Sequence, residues 1–153
     1  MTRPRRLQWL FTLHPVYFIT LCTKDRRHIL DRKIVNEKFV EFCKAAAAYQ
    51  IHVGRYVIMP DHIHVFAAFG IDSLSISSWI KSLKNSVSKV LKSANCLPPH
   101  WQKGFFEHVI RSQESYERKW EYVRNNPVRA GRVQNPRDWP YSGEISNLED
   151  LRL

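Results

Sequence analysis

Two apolar runs separated by two residues constrain this chain more than any other feature. They are "IHVGRYVIM" (51–59) and "HIHVFAAF" (62–69), with "PD" between them. Both are rich in β-branched and aromatic residues, which suit a pleated, half-buried strand. A Pro-Asp connection turns the chain tightly, so the two runs read as a β-hairpin. The rest of the fold has to be built around that antiparallel pair.

The flanking segments supply the other elements. "VYFITLCT" (16–23) reads as a strand, and "DRRHILDRK" as a charged connection. From about Val35 to Tyr49, the residues Val35, Phe39, Phe42, Cys43 and Ala46 recur at helical spacing. "GIDSLS" is a loop with cap residues, followed by a second amphipathic helix with Ile76, Ile80, Leu83, Val87 and Val90 on one side. Lys81, Lys84, Ser88 and Lys92 lie along another side of it. "CLPPH" breaks the helix, "FFEHVIR" (105–111) reads as a strand and "ESYERKWEYVRN" (114–125) as a third helix. Pro127 disfavours helical geometry at Asn126, which places the helix end near that residue. The tail from Arg129 onward is basic, with "DWPYSG" as a turn.

The order β-α-β-β-α-β-α implies an α+β fold of ferredoxin-like type. Its helices would pack on one face of an antiparallel sheet, with "HIH" on a central strand, and the other face would stay free for a ligand. A chain of 153 residues is the size of one domain. Residues 1–14, with Arg3, Arg5 and Arg6, read as a basic arm suited to a groove of nucleic acid, and 132–153 as a C-terminal tail.

Twenty-four Lys and Arg against fourteen Asp and Glu give a net charge of +10, which points to a polyanionic partner. Cys22, Cys43 and Cys96 are odd in number and widely spaced. They read as reduced thiols of a cytoplasmic protein rather than a disulfide framework or a CxxC zinc set. "LQWLFTLHPVYFITLC" superficially resembles a signal sequence, but Gln8, His14 and Pro15 interrupt it. It is also too broken to span a bilayer, so no membrane role is expected.

Side chains alternate along a strand, so His62 and His64 project to the same face. Two neutral imidazoles side by side can chelate a divalent cation if a third ligand arrives from elsewhere. They can equally be two structural histidines on a half-exposed sheet. Asp61 points away from the histidine face on a regular strand and reads as a turn residue. Tyr122 and Asn126 are four apart and share a face if the helix reaches Asn126. Tyr122 offers a phenolic oxygen there, and Asn126 a carboxamide oxygen. Spacing alone does not bring that helix to the histidines.

"MPDHIHVFAAF" followed by "WQKGFFEHVIRSQESYERKWEYVRNNPVRAG" resembles the single-tyrosine HUH transposases of the insertion-sequence type. The resemblance is strongest to the REP-associated tyrosine transposase branch and runs from about Val16 to Tyr141. His62, Ile63 and His64 meet the His-hydrophobic-His motif. Tyr122, Asn126 and the run from Pro127 to Gly131 meet the helical Y-x-x-x-N and its P-V-R-A-G sequel.

That resemblance implies that His62 and His64 bind a catalytic divalent metal, Mg²⁺ or Mn²⁺, and that Tyr122 is the nucleophile. Asn126 stands where related enzymes place a Gln or another polar third ligand. The implied reaction is metal-dependent nicking and strand transfer of single-stranded DNA at or near hairpins, through a 5′-phosphotyrosine. A monomer is favoured and a homodimer is the alternative, in the bacterial cytoplasm in association with the nucleoid. Glu107 and His108 are assigned no role beyond DNA or metal contact.

For DNA contact, Lys81, Lys84, Lys92, Arg111, Arg124, Arg129 and Arg132 are the candidate phosphate binders. Trp101, Phe105 and Trp139 are candidates for stacking on unpaired bases, or else for the core. Two other readings compete. One is a non-catalytic basic nucleic-acid-binding module with structural histidines; the other is a metal-dependent nuclease that uses water.

Overall fold

The computed structural model describes residues 15–148, so the basic arm's Arg3, Arg5 and Arg6 lie outside the described residues. The elements are β1 (Val16–Cys22), α1 (Lys33–Ala45), β2 (Ile51–Met59), β3 (His62–Phe69), α2 (Ile76–Ser93), β4 (Phe106–Ile110), α3 (Gln113–Arg124), α4 (Asn126–Arg129) and β5 (Ser142–Glu144). Short 3-10 turns occupy Lys24–Arg26, Ala46–Tyr49 and Pro136–Asp138.

The five strands form one antiparallel sheet in the order β4-β1-β3-β2-β5. The first four are the ferredoxin-like arrangement that the element order implied. The hairpin closes with Met59 opposite His62, and its second strand is the middle strand of the sheet. β5 is the addition. Its three residues pair with Arg55, Tyr56 and Val57 and cover the outer edge of β2, which would otherwise expose unpaired backbone.

Alternation along β3 divides the core. Ile63, Val65 and Ala67 pack with Val35, Phe39, Leu83 and Val87 beneath α1 and α2. His62, His64, Phe66 and Ala68 lie on the opposite face, where Phe66 and Ala68 pack with Tyr116 of α3. Val123 of α3 closes a second small cluster there with Val57, Met59 and Trp139. The second face is therefore not bare: α3 lies over it. Close approach is possible because Gly54 has no side chain. A Cβ there would meet Leu148 Cδ1 at 2.9 Å and the Tyr116 hydroxyl at 3.0 Å.

Local signals explain the ends of the helices. Ser75 caps α2 by accepting from the Ser78 backbone N–H at 3.2 Å, and Ser112 caps α3 by accepting from Ser115 at 3.1 Å. α1 tightens into 3-10 geometry after Ala45, and Gln50 ends it in the left-handed region at φ 62°. Near Pro127 the outcome differs from expectation. α3 stops at Arg124, Asn125 intervenes, and a new helical turn begins at Asn126 with Pro127 in its first turn. Proline is tolerated there because first-turn N–H groups have no intrahelical acceptor. Tyr122 and Asn126 thus belong to two helical segments, and the shared-face argument for one continuous helix does not apply.

Candidate active site

His62 and His64 sit side by side on the α3 face of the central strand, with ring centroids 4.7 Å apart and planes at 74°. Each uses Nδ1 within the protein. His62 Nδ1 lies 2.8 Å from Asp61 Oδ1, and His64 Nδ1 lies 2.9 Å from Thr20 Oγ1. A carboxylate only accepts, so His62 donates through Nδ1–H and its Nε2 keeps the lone pair. The same tautomer at His64, with Nδ1–H donating to the hydroxyl, frees its Nε2 in turn.

Burial favours the neutral form of both rings. Burial lowers the pKa of His62 despite the opposing pull of Asp61. Burial pushes His64 down to about 3, with repulsion from His62, Lys119, Arg26 and Arg129 adding to it. Neutral imidazoles with free Nε2 atoms are the form that binds a cation. The donor chemistry of the pair therefore fits a divalent metal.

Asp61 is a correction to the sequence reading. It does not merely turn the chain, because its side chain is 18% exposed and reaches back to the imidazole beside it. Its other oxygen takes the Arg26 Nε at 2.8 Å. Burial alone would raise the Asp61 pKa, but hydrogen bonds from Arg26 and His62 bring it below the usual value. Arg26 comes from the segment read only as a charged connection. Asp25 and Arg26 adopt φ of 54° and 53°, a left-handed conformation that aspartate tolerates and arginine disfavours.

Tyr122 projects from α3 and is 63% exposed. The Arg129 Cζ lies 3.9 Å from its ring centroid, while Arg129 Nη2 donates to Asn126 Oδ1 at 2.6 Å. Asn126 and His62 line one groove of about 410 Å³ together with Arg26, Arg129 and Arg132. Tyr122 lines a second groove of about 410 Å³ with His108, Ser115, Arg118 and Lys119. A stack links the histidines to this side, for Phe18 lies 5.0 Å from His64 at 22° and Lys119 Nζ sits 5.2 Å over Phe18. His108 is directly opposite Phe18 on β4. Glu107 pairs with Ile19 and so faces the other way.

The candidate phosphate binders divide. Arg129 and Arg132 line the histidine groove, although Arg132 Nη1 also lies 3.8 Å from Asp31. Arg111 is exposed beyond β4, and Arg124 Nη1 is 3.5 Å from Glu121. Lys81 and Lys92 are exposed on α2, across the sheet from the histidines. Lys84 has a structural task there, donating to the carbonyls of Gln102 and Gly104.

The aromatic candidates are structural too. Trp101 donates to Lys84 O at 3.1 Å, Trp139 is buried and donates to Ile58 O at 3.0 Å, and Phe105 packs on the main core. The aromatic that sequence reasoning missed is Phe106, 61% exposed and opposite Thr20 on the histidine face. Strand alternation from His108 was the available signal.

Comparison with known proteins completes the picture. Residues 12–126 match the family model described as "Transposase IS200 like", a segment holding both histidines, Tyr122 and Asn126. The chain belongs to the IS200-like transposase family. A Haemophilus influenzae protein assigned as a REP-associated tyrosine transposase is 28% identical to this IS200-like chain over 142 residues, covering 86% of it and 81% of the relative. The Escherichia coli REP-associated tyrosine transposase is 33% identical over 92 residues, covering 59% and 52%.

Among solved structures, a REP-associated tyrosine transposase bound to a REP hairpin superposes with a TM-score of 0.68. The two are 24% identical, and the match covers 84% of this IS200-like chain and 75% of the other. A Deinococcus radiodurans transposase structure superposes with a TM-score of 0.52 at 17% identity, covering 82% and 97%. These likenesses establish the fold. Among the described residues no helix of this family member is long and apolar enough to cross a membrane.

Proposed function

We propose that this chain nicks single-stranded DNA at or next to a hairpin and transfers the strand through a 5′-phosphotyrosine on Tyr122. The observation that carries the reading is the paired imidazoles: side by side on a central strand, each with Nδ1 engaged within the protein, and His62 lining a groove with Asn126. His62 and His64 would hold Mg²⁺ or Mn²⁺, with the Asn126 carboxamide as third donor. Among the described residues no cluster of three or more His, Cys, Asp or Glu side chains is arranged for that task. A divalent cation held there would supply Lewis-acid polarisation of the scissile phosphate.

The chain's own residues do the rest. Tyr122 Oη forms the bond to phosphorus as the P–O3′ bond breaks. Its proton passes to water, and the departing 3′ oxygen takes a proton from solvent. A 3′-hydroxyl from another strand reverses the step and releases the tyrosine, so no ATP is needed. The Arg129 guanidinium over the Tyr122 ring, with Lys119 and Arg118 in the groove that Tyr122 lines, offers positive charge to the phosphate under attack. Arg129 and Arg132 hold flanking phosphates. The hairpin preference is drawn from the relative solved with a REP hairpin, and a single-domain monomer suffices for one cleavage.

The test is a covalent-adduct assay on denaturing gels, with labelled single-stranded oligonucleotides carrying a hairpin and either Mg²⁺ or Mn²⁺. Wild-type protein should form a metal-dependent adduct, and Tyr122→Phe should bind the DNA without forming one. Adduct in the Tyr122→Phe protein would remove Tyr122 from its role. Cleavage without adduct would favour hydrolysis by water, and binding without cleavage a non-catalytic module.

A further inference from the structure

We propose that Asp61 is a positioning residue for His62, fixing its tautomer and lending it negative charge, and that Arg26 holds Asp61 in that task. The inference rests on the metal-centred reading above, and three observations carry it.

The first is the use made of both carboxylate oxygens. Oδ1 takes the His62 Nδ1–H at 2.8 Å and Oδ2 takes Arg26 Nε at 2.8 Å. Both oxygens are engaged within the protein, one of them by the imidazole itself, so the carboxylate is placed to act through His62. A turn residue has no need of such an arrangement.

The second is the backbone that delivers it. The hairpin tip is pinned to residues 23–30. Thr23 N and Oγ1 donate to Asp61 O at 3.0 and 3.2 Å, and Ile29 N and Leu30 N donate to Pro60 O at 2.9 and 3.0 Å. Within that segment Asp25 and Arg26 are successive non-glycine residues with left-handed backbone. Such conformations persist where the surroundings over-determine them. Here the turn carries the guanidinium back to the hairpin tip, with Arg26 Nη2 3.4 Å from His62 Nδ1.

The third is the charge of the donor set. Two neutral imidazoles and one carboxamide carry no negative charge to offset a divalent cation. Asp61 stands one hydrogen bond behind one of those imidazoles, whereas His64 has only the neutral Thr20 hydroxyl behind it. A carboxylate behind a ligating histidine fixes the ring and raises its basicity, and its loss typically weakens metal binding 10- to 100-fold. The two histidines are therefore unequal donors, His62 being the stronger.

Two measurements on the full chain test this. In metal-free protein, long-range ¹H–¹⁵N spectra of the imidazoles report the tautomer. Wild type should show His62 as Nδ1–H, and Asp61→Ala should populate the Nε2–H form. Mn²⁺ titration followed by electron paramagnetic resonance should then show Asp61→Ala binding about 10- to 100-fold more weakly, and Thr20→Val closer to wild type.

Asp61→Asn retains an acceptor without the charge. It should keep the Nδ1–H tautomer yet still weaken Mn²⁺ binding, and it serves if the alanine variant does not fold. Wild-type tautomer and Mn²⁺ affinity in both Asp61 variants would overturn the proposal. Wild-type protein that binds no Mn²⁺ would overturn the metal reading itself, while the tautomer, read without metal, still judges Asp61 separately.

Discussion

The Arg129 guanidinium lies 3.9 Å above the centre of the Tyr122 ring and at the same time donates to Asn126 Oδ1 at 2.6 Å. One side chain thus ties the candidate nucleophile on α3 to the candidate ligand on α4, across the break at Asn125. An exposed cation–π contact contributes about 0.5–1 kcal/mol. Arg129→Ala should therefore slow adduct formation at saturating DNA by about two- to fivefold, with little change in thermal stability. Measuring the rate at saturation separates positioning from lost phosphate contact. A wild-type rate under those conditions would leave Arg129 as a phosphate binder only.

Lysine and arginine positions that look alike in sequence should behave differently in solution. Lys84 donates to two carbonyls of the 102–104 loop, so Lys84→Ala should lower stability by about 1–3 kcal/mol. It should leave the salt dependence of DNA binding unchanged. Arg132 lines the histidine groove, and Arg132→Ala should reduce the slope of log affinity against log salt by about one. Denaturant titration and binding isotherms at several salt concentrations check both. A reduced slope for Lys84→Ala would return that residue to the DNA interface.

Phe106 is exposed on β4, opposite Thr20 and on the histidine face. A large apolar ring in that position offers a stacking platform for an unpaired base. Stacking of this kind is worth about 1–3 kcal/mol per base. Phe106→Ala should weaken binding of a single-stranded flank by about 5- to 100-fold, with little effect on a blunt hairpin lacking the flank. Fluorescence anisotropy with the two oligonucleotides compares them, and equal losses on both would rule out a base-stacking role.

The parts of this molecule that strand and helix periodicity govern were legible in the sequence. The hairpin ends where its apolar runs end, and the alternation that paired His62 with His64 needs no tertiary information. Asp61 was not legible. Its direction depends on the turn and on Arg26, whose left-handed backbone no residue preference announces. The place of α3 was hidden for a related reason: an amphipathic helix shows that it packs, not against which side of the sheet. The three residues of β5 are too few to carry a period. Trp101 and Trp139 show the limit of composition, because a tryptophan suited to stacking on a base is equally suited to a core that satisfies its N–H.

The depressed histidines link stability to pH. His64 has a folded value near 3 against an ordinary 6.5, and burial also lowers His62. Between those values the unfolded chain binds protons that the folded chain refuses, so stability rises with pH through the window. The contribution is complete above about pH 6.5 and is lost as the solution is acidified toward pH 3. One group changes stability by at most about 1.4 kcal/mol per pH unit. Allowing for solvent reaching the half-buried ring, acidifying from pH 7 to 5 should remove about 1 kcal/mol. That range stays above the depressed Asp61 value, so the carboxylate does not confuse it. Urea denaturation of metal-free wild type and His64→Asn at both pH values provides the check. The variant also loses its stack on Phe18, so the comparison is of slopes: the wild-type slope should be the steeper. Equal slopes would mean that His64 titrates normally in the folded protein.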